Sequence, residues 1–145
     1  MDLKKLPIRL ILAVFAGIVI AFVLSTLTHL ILHWVGIFPS LKEPMFDSKL
    51  LIVSLCYHSF YAIVGAYFTA QIAKKEAIKA AFLLGLKEAI MWFVGTLLLW
   101  KHAAPWFNIS KAVLGIPLAL LGGKMFSMYK NHRDNKRTSF PIQKR

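Results

Sequence analysis

Cysteine occurs once in these 145 residues, and acidic side chains occur six times. A single cysteine, Cys56, excludes an intramolecular disulfide and a thiolate metal site, and its place inside an apolar run marks it as a small core residue. Charge is absent from residues 10–41 and 50–73, runs of 32 and 24 positions, whereas a helix needs only about 20 apolar residues to cross a bilayer. The usual signatures of chemistry are missing as well: no haem-attachment, Walker, nucleophile-elbow or zinc-protease pattern is present.

What is present is oil and base. Apolar residue types make up 58% of the chain and the mean hydropathy is +0.63, too greasy for an ordinary water-soluble domain. Lys and Arg number 18, for a formal charge of +12. In so apolar a chain that excess speaks of orientation and of anionic lipid headgroups rather than of nucleic acid. The expected fold is therefore all-α, an integral membrane four-helix bundle over residues 1–129, with spans near 7–36, 50–73, 79–101 and 106–128. A basic cytoplasmic tail, mobile in character, follows at 130–145. Lys4, Lys5 and Arg9 before the first apolar run imitate a signal peptide. That run is about twice the 7–15 residues of a signal core, so it reads as a retained span. Four spans with short loops leave no length for a soluble catalytic domain, and no enzymatic activity is expected.

Local signals set the ends of the helices. Pro7 suits a helix start, Gly36 with Pro39 a stop, Asp47 or Ser48 a cap for the second helix, and Lys74, Lys75 and Glu76 a very short turn. Lys111 and Lys124 extend the fourth apolar run by snorkelling in opposite directions, and Pro117 within it is expected to bend the helix or free a carbonyl. With an even number of spans, thirteen basic residues fall on the side of the two termini. Only Lys42, Lys49, Lys101 and Lys111 fall opposite, and Lys87 lies within the layer. Positive residues stay inside, so both termini are placed in the cytoplasm, across a bacterial inner membrane. Trp34, Trp100 and Trp106 all fall at the other interface, as an aromatic belt would.

Small residues recur at intervals of four: Ala13, Gly17 and Ala21 continuing to Ser25, His29 and His33; His58, Ala62, Ala66 and Ala70; Tyr61, Gly65, Thr69 and Ala73; Ala77, Ala81, Gly85 and Ala89; Gly115, Ala119 and Gly123. Such rows let backbones approach closely, either within one bundle or against a second copy or another membrane protein.

Ionisable groups at depth are the informative residues, since each costs several kcal/mol unless paired. Glu88 lies about 13 Å from the inner boundary and His58 about 12 Å from the outer one, so in a layer of about 30 Å they differ in height by only about 5 Å. A Glu88 contact with His58, Tyr57 or Tyr61 follows if the second and third helices are neighbours. Lys87, about 100° around the helix from Glu88, is poorly placed to pair with it and is expected to snorkel inward. Two readings of Glu88 compete: a hydrogen-bonded lock between helices, or a proton- or cation-coupled transport site. His29 and His33 share one helix face at the spacing a metal or haem would use, but neither His58 nor His102 converges on them as a third ligand. The pair is expected to be interfacial, and no cofactor is expected.

The sequence also resembles a family of small, uncharacterised bacterial membrane proteins with four transmembrane helices. The resemblance rests on Thr28-His29 and His33 followed by Gly36-Ile37-Phe38-Pro39, on Pro44-Met45, on Gly65-Ala66-Tyr67-Phe68-Thr69-Ala70, and on Pro105-Trp106, Pro117 and Gly122-Gly123-Lys124. It implies the four-span fold and brings no established activity. Lys87-Glu88 departs from the neutral third helix such proteins carry. Three functions result as expectations: a structural or accessory subunit packing through its small faces, a small transporter using Glu88, and a metal or haem binder using His29 and His33.

Overall fold

The structure, a computed structural model, describes residues 8–39, 47–98 and 104–138. Among these residues there is no strand. The helices are α1 (Ile8–Trp34), α2 (Ser48–Ala73), α3 (Ala77–Leu98) and α4 (Pro105–Thr138), with a 3-10 turn, Lys74–Glu76, joining α2 to α3. As unbroken helical stretches these amount to three, Ile8–Trp34, Ser48–Leu98 and Pro105–Lys136, each long and apolar enough to cross a membrane. The middle stretch doubles back at its 3-10 turn. The His58 ring of α2 lies 6.4 Å from the Trp92 ring of α3, which places the two arms antiparallel and side by side.

The ends obey local chemistry. Asp47 is the N-cap of α2, its carboxylate accepting from the Lys49 amide at 2.8 Å. α1 stops where Gly36 takes a φ of 79° and the amides of Gly36, Ile37 and Phe38 turn back to the carbonyls of His33 and Leu32. Lys74 reverses the chain with a φ of 53°, donating its amide to the Ala70 carbonyl. α4 contains Pro117 and runs on through Thr138, well past the end expected near Met128. No helix breaker follows Gly123 until Pro141, so the first part of the expected tail is helix. The readings of Lys4, Lys5, Pro7, Lys42, Pro44, Trp100, Lys101, His102 and the tail beyond residue 138 lie outside the described residues.

Side chains are sorted by size rather than by polarity. Ala13, Ala66, Ala70, Ala80 and Ala81 are wholly buried, while Phe15, Phe22, Phe60, Phe93 and Val113 project outward. This suits a lipid surround, where the gain comes from close backbone approach instead of from hiding oil. Gly17 and Gly65 cross with almost no space between them: a methyl at Gly65 would lie 2.8 Å from the Gly17 carbonyl oxygen and 3.0 Å from the Ala21 methyl. Gly85 meets Gly115 and Ala119 in the same manner, Gly123 meets Ala81, and Gly122 meets Ile63 and Ala66. Ala13 packs with Leu10, Ala73 and Ala80. The predicted packing residues Ala13, Gly17, Ala21, Gly65, Gly85, Gly115 and Gly123 are all engaged with other helices of the same chain. Cys56, expected in the core, is exposed on the outside of α2.

Two ties fasten α1 to α2. Near the turn end, the Arg9 guanidinium Nε donates to the Ile72 carbonyl at 2.8 Å. Near the opposite end, Thr28 and Tyr61 hydroxyls bond at 2.8 Å, and His29 Nδ1 and the Tyr57 hydroxyl at 2.9 Å. Between α1 and α3, apolar contact is made in the turn half, where Leu10 and Ala13 meet Ala80 and Leu83. Farther along, a space opens between these two helices.

Candidate functional site

That space is a cavity of about 480 Å³, within the 300–1,000 Å³ of small-molecule sites. Every helix contributes to it. α1 supplies Phe22, Ser25, Thr26 and His29, α2 supplies Ser54, His58 and Ser59, α3 supplies Lys87, Glu88, Met91 and Trp92, and α4 supplies Phe107 and Lys111. Ile18, Leu84, Leu114 and Leu118 make much of the remainder apolar. Phe22 of α1 and Met91 of α3 line the cavity and are also exposed on the outer surface, so it reaches the outside of the bundle beside them.

Of the polar residues singled out in the sequence, the cavity gathers Glu88, His58, Lys87 and His29, while Tyr57 and Tyr61 stand behind its wall on α2. The expected contact of Glu88 with α2 is not what forms. Glu88 Oε1 accepts from Lys87 Nζ at 2.9 Å, the pairing that the 100° helical offset argued against. The four-carbon stem of Lys87 is long enough to curl around that angle, and the ion pair leaves Lys87 no reason to reach for an interface. His58 instead donates Nδ1–H to the carbonyl of Ser54 on its own helix at 2.9 Å, and Tyr57 and Tyr61 turn to α1.

Lys111 overturns a second expectation. Instead of snorkelling outward it is only 7% exposed, with its ammonium 3.9 Å from the centre of the Trp92 ring and 4.2 Å from that of Phe107. Glu88 lines the same cavity. No hydrogen-bond acceptor for its three N–H donors is found among the described residues. Two aromatic faces return about 2 kcal/mol, less than the several kcal/mol that full burial of an ammonium costs, so an acceptor that reaches Lys111 through the cavity would be held there. The sequence holds a signal for this residue. Continuing the small-residue row Gly115, Ala119 and Gly123 back by one step of four lands on Lys111, and by two on Phe107, so both belong to the inward face of α4. Trp92, one helical turn beyond Glu88, belongs to no such row.

A chain of hydrogen bonds runs along the cavity wall and on to His33. His58 Nδ1 lies 3.4 Å from Ser54 Oγ, which donates to the Tyr57 hydroxyl at 3.3 Å; Tyr57 meets His29 Nδ1 at 2.9 Å, and His29 Nε2 meets His33 Nε2 at 3.2 Å. From Ser54 onward one assignment of tautomers runs in a single direction, Ser54 to Tyr57 to His29 to His33, while the His58 Nδ1–H that bonds the Ser54 carbonyl is at most shared with the Ser54 hydroxyl. Rings of His29, His33 and Phe38 pack edge to face at its far end. His29 and His33 are thus partners of each other and of Tyr57. Among the described residues no group of three or more His, Cys, Asp or Glu is arranged to hold a metal ion.

Comparison of the chain with protein-family models, with curated proteins and with solved structures finds no match.

Proposed function

We propose that the chain crosses a bacterial inner membrane four times, as a bundle with both termini in the cytoplasm, and that it is a small proton-coupled carrier whose solute occupies the cavity. The observation that carries this reading is the joining of a carboxylate-bearing chamber, around Glu88, to a relay of imidazole and hydroxyl groups from His58 to His33. Chains of this kind conduct protons in pumps and transporters, and an ionisable side chain inside the apolar layer is functional by default. A packing or accessory subunit would need small-residue faces left over for a partner, and the rows noted above are engaged within the chain. A metal or haem role for His29 and His33 loses support to their hydrogen bonds with each other and with Tyr57. No catalytic chemistry is assigned, and no cofactor or nucleic acid takes part.

The four-span count rests on the antiparallel arms α2 and α3, and it agrees with the resemblance to small four-helix bacterial membrane proteins. Orientation rests on basic residues. With Lys111 buried, thirteen remain on the side of the termini against Lys42, Lys49 and Lys101 opposite. Anionic headgroups are the expected neighbours of the thirteen.

Purified protein in proteoliposomes with trapped pyranine tests the proton function without knowledge of the solute. Under a potassium–valinomycin clamp, wild-type protein should dissipate an imposed pH gradient at least tenfold faster than Glu88→Gln or empty vesicles. Equal rates would remove the carrier reading. Reporter fusions at Lys75 and Arg145 should report the same face of the membrane, and opposite faces would overturn the topology.

A further inference from the structure

From the cavity we infer the class of solute: an organic monoanion with an apolar body, its acidic group held by Lys111. This rests on the carrier reading for its biological meaning but on the geometry of Lys111 for its chemistry. Lys111 is 7% exposed as a residue, lines the cavity, and its ammonium has no acceptor among the described residues. Trp92 and Phe107 cover it with π faces, which hold the cation in place but supply no oxygen. A carboxylate or phosphate oxygen at that point would take its N–H donors in charge-assisted bonds. Seryl and threonyl hydroxyls at Ser25, Thr26 and Ser59 stand in the same wall. Apart from His29, Ser54, His58, Lys87 and Glu88 the rest of the lining is apolar, and its exposed border at Phe22 and Met91 lies mid-helix on the oily surface rather than at a helix end. A solute that enters there carries a hydrocarbon or aromatic portion. Lipophilic cations, the other amphiphiles that might use a buried carboxylate, meet two ammonium groups against one carboxylate.

Glu88 then links the anion to the proton. The ionisable groups around it are Lys87 on its own helix, Lys111 from α4, His58 from α2 and His29 from α1. Ionised, Glu88 offsets one of the two ammonium charges; protonated, it offsets neither. Protonation therefore strengthens anion binding, and by reciprocity the anion strengthens proton binding.

The test uses a head-group series on one body, 4-butylbenzoate, 4-butylbenzyl alcohol and 4-butylbenzylamine, titrated calorimetrically into the full chain in phosphatidylcholine nanodiscs. The benzoate is expected to bind one per chain, at least tenfold more tightly than the alcohol or the amine. Lys111→Met, which keeps the stem against Trp92 and Phe107, should bring the benzoate down to the level of the alcohol, and Lys111→Arg should hold it within about threefold of wild type. Glu88→Gln, which removes a negative charge from the cavity wall, should bind the benzoate several-fold more tightly than wild type at pH 6. No head-group preference in wild type, or an unaltered Lys111→Met with a normal unfolding transition, overturns the inference; the series on wild type decides alone if Lys111→Met does not fold. Repeating the titration with phosphatidylglycerol in the disc separates the sources. Competition supports the site with a lipid headgroup as occupant, and none supports it with a free organic acid. Benzoate preference without proton movement leaves this site standing and removes the carrier, while proton movement without benzoate preference does the reverse.

Discussion

Two glycines of the same helix, Gly85 and Gly95, should respond with opposite signs to the same substitution. At Gly95 a methyl would find nothing within 4 Å, so Gly95→Ala adds only helix propensity and should stabilise by about 0.5–1 kcal/mol. At Gly85 the methyl would lie 2.8 Å from the Ala119 methyl, 2.9 Å from the Gly115 carbonyl oxygen and 2.9 Å from the Ile116 Cα. Two of those three atoms are backbone of α4, which yields only if the helices separate. Overpacking of this kind costs about 1–3 kcal/mol, which exceeds the propensity gain and leaves Gly85→Ala destabilised by about 1–2 kcal/mol. The two variants then differ by about 2 kcal/mol, close to thirtyfold in the folding equilibrium. Reversible unfolding in mixed micelles with increasing dodecyl sulfate measures both against wild type. Because the chemical change is identical, generic effects of a methyl in detergent cancel. A Gly85→Ala protein as stable as Gly95→Ala would refute the claim that α3 and α4 touch backbone to backbone.

Two more substitutions can be checked in the assays already described. Tyr57→Phe removes the middle of the relay and one α1–α2 tie; proton movement into pyranine-loaded vesicles should fall at least tenfold, while 4-butylbenzoate affinity stays within about threefold, since Tyr57 does not line the cavity. Its stability cost should be small, about 0.6 kcal/mol, the average for hydrogen bonds between membrane helices. Lys74→Gly should stabilise the fold by about 1 kcal/mol in the same unfolding assay, because Lys74 holds a φ of 53° that a side chain disfavours; a loss of stability would mean that its charge outweighs its backbone.

Much of the scaffold could be read directly from residue order because its determinants are local. Asp47 caps α2, Gly36 ends α1 and Lys74–Glu76 forms the turn, each through hydrogen bonds within a few residues. Rows at a spacing of four identified the packing faces for the same reason. Which row meets which is a long-range property, and the cavity is what remains where the rows of α1 and α3 part company. Lys111 was misplaced because a lysine near the end of an apolar run was assigned by its distance to the interface alone. Its position one step back along the Gly115 row carries the stronger information, since the direction of a helix face is set by all its members. Lys87 and Glu88 show the converse, where flexible stems defeat an argument from helical angle.

The ties between α1 and α2 have a mechanical consequence. With Arg9 bolted to Ile72 near one end and Thr28 and His29 to the tyrosines of α2 near the other, α1 does not swing by itself. Widening the gap between Phe22 and Met91 by moving α1 alone would break these hydrogen bonds, whereas moving α1 and α2 as a pair would keep them. Gly122, packed against Ile63 and Ala66, is where α2 and α4 would stay in touch during such a movement.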